Sequence, residues 1–284
     1  MTPAARRCAV LGSPIAHSLS PALHTAAYAQ LGLSGWSYSA HEVTEPELAG
    51  FVAGCDASWA GLSLTMPLKA AALQLGDVDP LAALVGAANT LIFAADGRSV
   101  HNTDVGGLVS AVRRTTDLVC RQVTIVGAGA TARSSLVSAA QLGAASVTLV
   151  ARDRTKGESL RPLAETCGLE LVVSGWDDET GPADLLISTV TAGAADQRAA
   201  SLVAGASVVF DAVYDPWPTR LAVEAERAGR TVVNGLDLLV GQAVLQIRLM
   251  TGRDISPDVL LTAGRAALRA RSSDEQGSAS APRQ

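Results

Sequence analysis

Only two of the 22 basic residues are lysines, Lys69 and Lys156; the rest are arginines. Arginine stays protonated in proteins, whereas lysine can be tuned to give and take a proton, so each lysine needs its own explanation. Lys69 ends the run Thr65-Met66-Pro67-Leu68-Lys69, between a short apolar strand and a segment predicted to be helical from Pro67 through Leu75. On that reading Lys69 lies in the first helical turn, where the dipole disfavours a cation and suits a general acid/base. Asn102-Thr103-Asp104 precedes a second predicted helix. Asp104 there serves either as helix N-cap or as the carboxylate that holds the Lys69 ammonium, and spacing alone does not choose.

A different constellation is Gly127-Ala128-Gly129-Ala130-Thr131-Ala132, between the β-branched run Val123–Val126 and a helix predicted from Ala130 to Leu142. This is the dinucleotide fingerprint with alanine at the third glycine position. Small residues let the backbone approach a pyrophosphate at the helix N-terminus, where free N–H groups and the dipole favour anions. The next strand runs into Ala151-Arg152-Asp153-Arg154-Thr155-Lys156. NAD sites place an acid at that strand end, and NADP sites an arginine near the 2′-phosphate. Ala151 stands where the acid is expected and three cations follow, which favours NADP(H) through Arg152 and Arg154. A one-residue shift would make Asp153 a ribose ligand and the cofactor NAD.

These groups are carried by alternating strand-like and helix-like segments, the pattern of an α/β fold with parallel sheets. Cys8–Leu11 and Ala60–Leu64 read as buried strands, and Thr90–Phe93 with Arg98–His101 as a hairpin around Asp96-Gly97. Ser20-Pro21 opens a helix to about Leu31, with serine as cap. Strands at Val123–Val126, Val147–Val150, Leu171–Val173, Leu185–Ile187, Val208–Phe210 and Thr231–Val233 form a Rossmann-like, doubly wound nucleotide domain. Helices from Leu238 to about Met250 and from Pro257 to about Arg269 return to the first domain. The expected division is a substrate domain of 1–104 plus 237–271, a dinucleotide domain of 105–236 and a disordered polar tail of 272–284.

Apolar residues at 48% and charged residues at 17% fit a globular chain and exclude general disorder. A net charge of −5 with no basic stripe argues against nucleic acid and membrane surfaces as partners. Four scattered cysteines and four histidines without ligand spacing suggest a cytoplasmic, metal-free protein; the sequence leaves its oligomeric state, monomer or homodimer, open.

Five segments together are specific. Gly12-Ser13-Pro14-Ile15-Ala16-His17-Ser18-Leu19-Ser20-Pro21-Ala22-Leu23-His24, Leu64 to Lys69, Gly86-Ala87-Ala88-Asn89-Thr90, Asn102 to Asp104, and Gly235-Leu236-Asp237-Leu238-Leu239-Val240-Gly241-Gln242-Ala243 occur in the order seen in shikimate dehydrogenases, which the chain resembles over about 8–270. The resemblance implies reversible hydride transfer between NADPH and the ring carbonyl of 3-dehydroshikimate. It implies Ser18 and Ser20 at the substrate carboxylate with Tyr214 nearby, and Thr65, Asn89, Asp104 and Gln242 at ring hydroxyls. Lys69 would stand at the reacting oxygen. Gly127, Ala128, Gly129, Ala130, Thr189 and Gly235 would be at the cofactor.

Each residue also has a plainer explanation. Ser20 caps a helix, Asn89 satisfies a turn, Gln242 is an exposed helix position, and Tyr214 is a half-buried core residue. Two positions depart from the family pattern: Ser63 replaces the usual asparagine, and Ala151-Arg152-Asp153 the usual Asn-Arg-Thr. The competing functions are an NAD-dependent quinate, shikimate or aminoshikimate dehydrogenase and, in another class, a dinucleotide-binding sensor without chemistry.

Overall fold

The computed structural model describes residues 5–279. Its first unit contains β1 (Arg6–Gly12), α1 (Ser20–Gln30), β2 (Trp36–Glu42), α2 (Leu48–Ala53), β3 (Trp59–Leu64), β4 (Asp77–Val78), α3 (Pro80–Val85), β5 (Thr90–Ala94) and β6 (Gly97–His101). The strands form one sheet in the order β2-β1-β3-β5-β6-β4. β3 is buried at every position, as expected of a central strand covered on both faces. β1 runs parallel to β2 and β3, but β5 is antiparallel to both β3 and β6. The sheet is therefore mixed rather than parallel, because the Asp96-Gly97 hairpin reverses the chain as its turn residues predict. β2 is invisible to a search for apolar runs: it is an edge strand with only Tyr38 buried.

The segment after β3 departs from expectation. Residues 66–70 form a turn, followed by a short 3₁₀ helix, Ala71–Gln74. Leu68 and Ala72 anchor this turn in the core, and Leu68 N–H donates to Thr65 O at 2.8 Å. No α-helix begins at Pro67, so the dipole explanation for Lys69 does not hold.

The second unit contains α4 (Asp104–Thr115), β7 (Gln122–Val126), α5 (Ala130–Gln141), β8 (Ser146–Ala151), α6 (Arg154–Glu158), α7 (Arg161–Thr166), β9 (Glu170–Gly175), β10 (Ala183–Ser188), α8 (Ala199–Ala204), β11 (Ala206–Asp211), α9 (Arg220–Arg227) and β12 (Thr231–Asn234). Its sheet is entirely parallel, ordered β12-β11-β10-β7-β8-β9. The order reverses between β7 and β10, and a crevice opens beyond their carboxyl ends, the place where such sheets bind ligands.

Two helices then leave this sheet, α10 (Gly235–Thr251) and α11 (Pro257–Ala279). α10 starts in a capping box, with Asn234 and Asp237 each accepting from the other's backbone N–H. Its apolar face joins that of α1 through Leu19, Leu23, Leu236, Val240 and Ile247. α10 also packs closely on α4: a Cβ on Gly241 would press on the Gly107 carbonyl, and one on Gly107 would meet the Gln242 backbone. Those two glycines let Gln242 reach the residues at the start of α4.

α11 continues past the expected end at Arg269, so 272–279 is helical rather than disordered, and 280–284 lies outside the described residues. Ser272 and Ser273 hydroxyls bond back to carbonyls four residues earlier instead of breaking the helix. Among the described residues no helix is long and apolar enough to cross a membrane.

Candidate active site

A cavity of about 320 Å³ lies where β1, β3, α4 and α10 converge. Lys69 and Asp104 meet in its wall, with Lys69 Nζ donating to Asp104 Oδ2 at 2.7 Å. Their side chains are only 15% and 8% exposed, so the pair is largely removed from water. Asp104 is not the cap of α4. It is the first helical residue, and Asn102 Oδ1 takes the Val105 N–H at 3.2 Å instead. Its carboxylate is free to hold Lys69, and the N-terminal end of α4 favours an anion there. The helix end at this pair thus belongs to the aspartate.

Asn89 fixes Asp104 from the other side. Its Nδ2 donates to Asp104 Oδ1 and Thr103 Oγ1, both at 2.9 Å, and more weakly to Gln242 Oε1 at 3.3 Å. Its Oδ1 accepts from the Thr103 N–H at 2.8 Å. Gln242 is 6% exposed, not a surface position. It gives one Nε2 hydrogen to Leu239 O at 2.8 Å and keeps a second for the cavity. Thr65, whose backbone N–H pairs with Leu11 O at 2.9 Å, lines the same space.

Ser18, Ser20 and Tyr214 line the cavity as well. Ser20 does not cap α1; Ser18 Oγ accepts the Ser20 backbone N–H at 3.3 Å, leaving the Ser20 hydroxyl uncommitted to the helix. Burial raises the Tyr214 phenol above its ordinary range, with nearby Arg271 opposing. The Tyr214 hydroxyl therefore remains a donor at neutral pH.

A separate groove of about 540 Å³ opens at the crevice of the parallel sheet. Gly127, Ala128 and Gly129 form one wall, Arg152, Asp153 and Lys156 another, and Trp176 and Thr189 the rest. Gly127 has φ +114°, a backbone state that side chains rarely adopt, and a Cβ there would strike Thr189. Gly129 is the N-cap of α5, has open space above it, and brings no side chain to the N–H groups of the first turn, which begins at Ala130. This cradle fits a pyrophosphate. The Arg152 guanidinium lies 5.1 Å from the Trp176 ring centroid, a cation–π distance.

Three expected cofactor residues do not fall in that groove. Arg154 pairs with Asp178 alongside Gly175 and is not part of the groove wall. Lys156 lines it instead, two residues on in α6. Gly235 lines the Lys69 cavity, pressed against Ala212, and Ala130 lies behind the glycine loop at the start of α5. Asp153 caps α6, accepting from Thr155 N at 2.9 Å, so its carboxylate is already engaged. Thr131, on the glycine-loop helix, lines the Lys69 cavity, so the two spaces adjoin there.

Sequence reasoning missed a buried relay beneath the cavity. Tyr38 Oη donates to Ser63 Oγ at 2.6 Å, and Ser63 Oγ donates to Gln246 Oε1 at 2.8 Å. Gln246 Nε2 donates to Asn89 O at 3.1 Å, carrying the chain back to the Asp104 cluster. His24 closes it at 3.4 Å from Gln246 Oε1, stacked 4.0 Å from Tyr38. Full burial holds His24 neutral, its pKa pushed down to about 3. The only sequence signal was spacing: Gln246 is one helical turn after Gln242, on the same face.

The chain is similar in sequence and fold to known proteins. The family model described as shikimate dehydrogenase substrate binding domain matches residues 10–91. A shikimate dehydrogenase (NADP(+)) from Methanothermobacter thermautotrophicus is 36% identical, over 88% of this chain and 93% of its own. The shikimate dehydrogenase structure from Mycobacterium tuberculosis is 38% identical with a TM-score of 0.86, covering 92% of this chain and 99% of that one. A shikimate 5-dehydrogenase from Thermus thermophilus, in complex with NADP(H) and shikimate, is 33% identical with a TM-score of 0.81, over 92% and 99% of the two chains.

Proposed function

The chain belongs to the shikimate dehydrogenase family, and on that premise we propose that it catalyses the reversible, NADPH-linked reduction of 3-dehydroshikimate to shikimate. The observation that carries this reading is the Lys69–Asp104 pair, 2.7 Å apart among hydroxyl and amide groups and beside the glycine loop. NADPH, when bound, supplies the hydride for the ring carbonyl carbon. Lys69 donates a proton to the carbonyl oxygen as charge develops on it, and takes that proton back in the reverse direction. Asp104 holds the ammonium in place, and Asn89 fixes Asp104.

Thr65, Asn89, Asp104 and Gln242 read the ring hydroxyls. Such groups discriminate strongly, because a substrate lacking a hydroxyl leaves a buried partner unpaired. Ser18, Ser20 and Tyr214 hold the carboxylate. Gly127, Ala128, Gly129 and Thr189 receive the pyrophosphate side of the cofactor, and Arg152 with Lys156 the 2′-phosphate. The commitment of Asp153 to capping α6 supports NADP over NAD. The same reading assigns residues 1–104 with 237–271 to the substrate and 105–236 to the cofactor.

Turnover of shikimate and quinate, each with NADP and with NAD, tests the proposal. Shikimate with NADP is expected to be fastest; rapid oxidation of quinate with NAD alone would overturn it.

A further inference from the structure

The cavity wall formed by Ser18, Ser20 and Tyr214 comes from two loops and the first residue of α1. The Ser18 loop follows β1, and Tyr214 follows β11 in the other sheet. Both loops meet one side chain that does not line the cavity. Arg271 Nη1 donates to His17 O at 2.9 Å and its Nη2 to Ser18 O at 3.0 Å. Nη1 also lies 3.7 Å from Asp215 Oδ2, next to Tyr214. The Arg271 side chain is 29% exposed, and it reaches these loops because α11 continues past Arg269.

We propose that Arg271 is a positioning residue for the carboxylate-binding wall, setting the Ser18 loop through two successive carbonyls and the Tyr214 loop through Asp215. This rests on the proposed shikimate activity. A planar guanidinium presents two parallel donors at a fixed spacing, matched here to two adjacent carbonyls; an ammonium cannot reproduce that fork. The hold passes along the loop, since Ser18 Oγ in turn accepts the Ser20 N–H. Arg271 does not line the cavity and has Asp215 at 3.7 Å, so its contribution is placement rather than a positive charge facing the substrate.

The test compares shikimate with its neutral carboxamide in the full-length enzyme with NADP. In Arg271→Ala, KM for shikimate is expected to rise about tenfold, the loss of hydrogen bonds to a charged donor. KM for NADP should stay within about twofold, and kcat should fall by less than about threefold. The preference for shikimate over the carboxamide should shrink by about the same tenfold, which a general loss of stability would not produce. Arg271→Lys, which keeps the charge, should not restore the wild-type KM. If Arg271→Ala does not fold, Arg271→Gln, which keeps one donor, reads the same split. The inference is overturned by an unchanged KM for shikimate, by parallel weakening of both substrates, or by full rescue with lysine. A wild-type enzyme that does not oxidise shikimate overturns the proposed function and this inference with it.

Discussion

The Lys69 cavity and the glycine-loop groove solve the problem of recognition in opposite ways. In the cavity the central polar groups are side chains bonded to one another: Lys69 to Asp104, Asp104 to Asn89, Ser63 to Gln246. In the groove the recognising surface is backbone opened by glycine, edged by Arg152 on the loop after β8 and Lys156 in α6. A buried network gains specificity from the cost of leaving any member unpaired. A backbone cradle with peripheral charges binds a common phosphate scaffold and leaves selectivity to one or two cations. Damage to the first should therefore spread into folding and turnover together, whereas damage to the second should stay local.

Asp104→Ala gives the largest expected separation. It strands the Lys69 ammonium and one Asn89 donor in a site that is mostly removed from water. Loss of one partner of a buried pair costs about 3–5 kcal/mol. Chemical denaturation should record that loss, and shikimate oxidation should fall by about two orders of magnitude or more. A variant of unchanged stability would mean that the cavity is wetter than its packing indicates.

The same contrast predicts a response to acid. His24 titrates near 6.5 when unfolded and at about 3 when buried. The unfolded chain therefore binds this proton first, and the stability present above about pH 6.5 is lost as pH falls toward 3. The slope is up to about 1.4 kcal/mol per pH unit. Urea midpoints measured from pH 7.5 to 4.5 should fall more steeply for the wild type than for His24→Phe; equal slopes would contradict the buried neutral ring.

Arg152→Ala should have the smallest and most local effect. KM for NADP is expected to rise about ten- to thirtyfold, the range of a charge-assisted hydrogen bond, with KM for shikimate and thermal stability nearly constant. Steady-state kinetics with NADP and NAD checks this. An equal loss for NAD would mean that Arg152 does not read the 2′-phosphate.

The groove was the easier region to read in the sequence, because its information is local. Strand, glycine loop, helix and a following arginine lie within about thirty residues, and their order alone specifies the crevice. Even there, the choice between Arg154 and Lys156 depended on Asp178, which the sequence does not connect to either. The cavity is assembled from residues far apart in the chain, 183 positions in the Ser63–Gln246 bond, and no periodicity announces such a contact.

Lys69 and Asp104 illustrate the difference. Lysine scarcity identified Lys69, but the helix start inferred for it belongs to Asp104. The capping role that would have explained Asp104 away falls to Asn102. β2 and the Tyr38 relay were missed because an edge strand with one buried residue leaves no apolar run to detect.

The most direct measurement is single-turnover hydride transfer from shikimate to NADP in Lys69→Ala, with NADPH affinity measured on the same protein. The rate should fall by about 10²–10⁴-fold, the range of a lost general acid/base, while the NADPH dissociation constant stays within about twofold. A rate close to that of the wild type would contradict the assignment of Lys69 as the group that moves the proton.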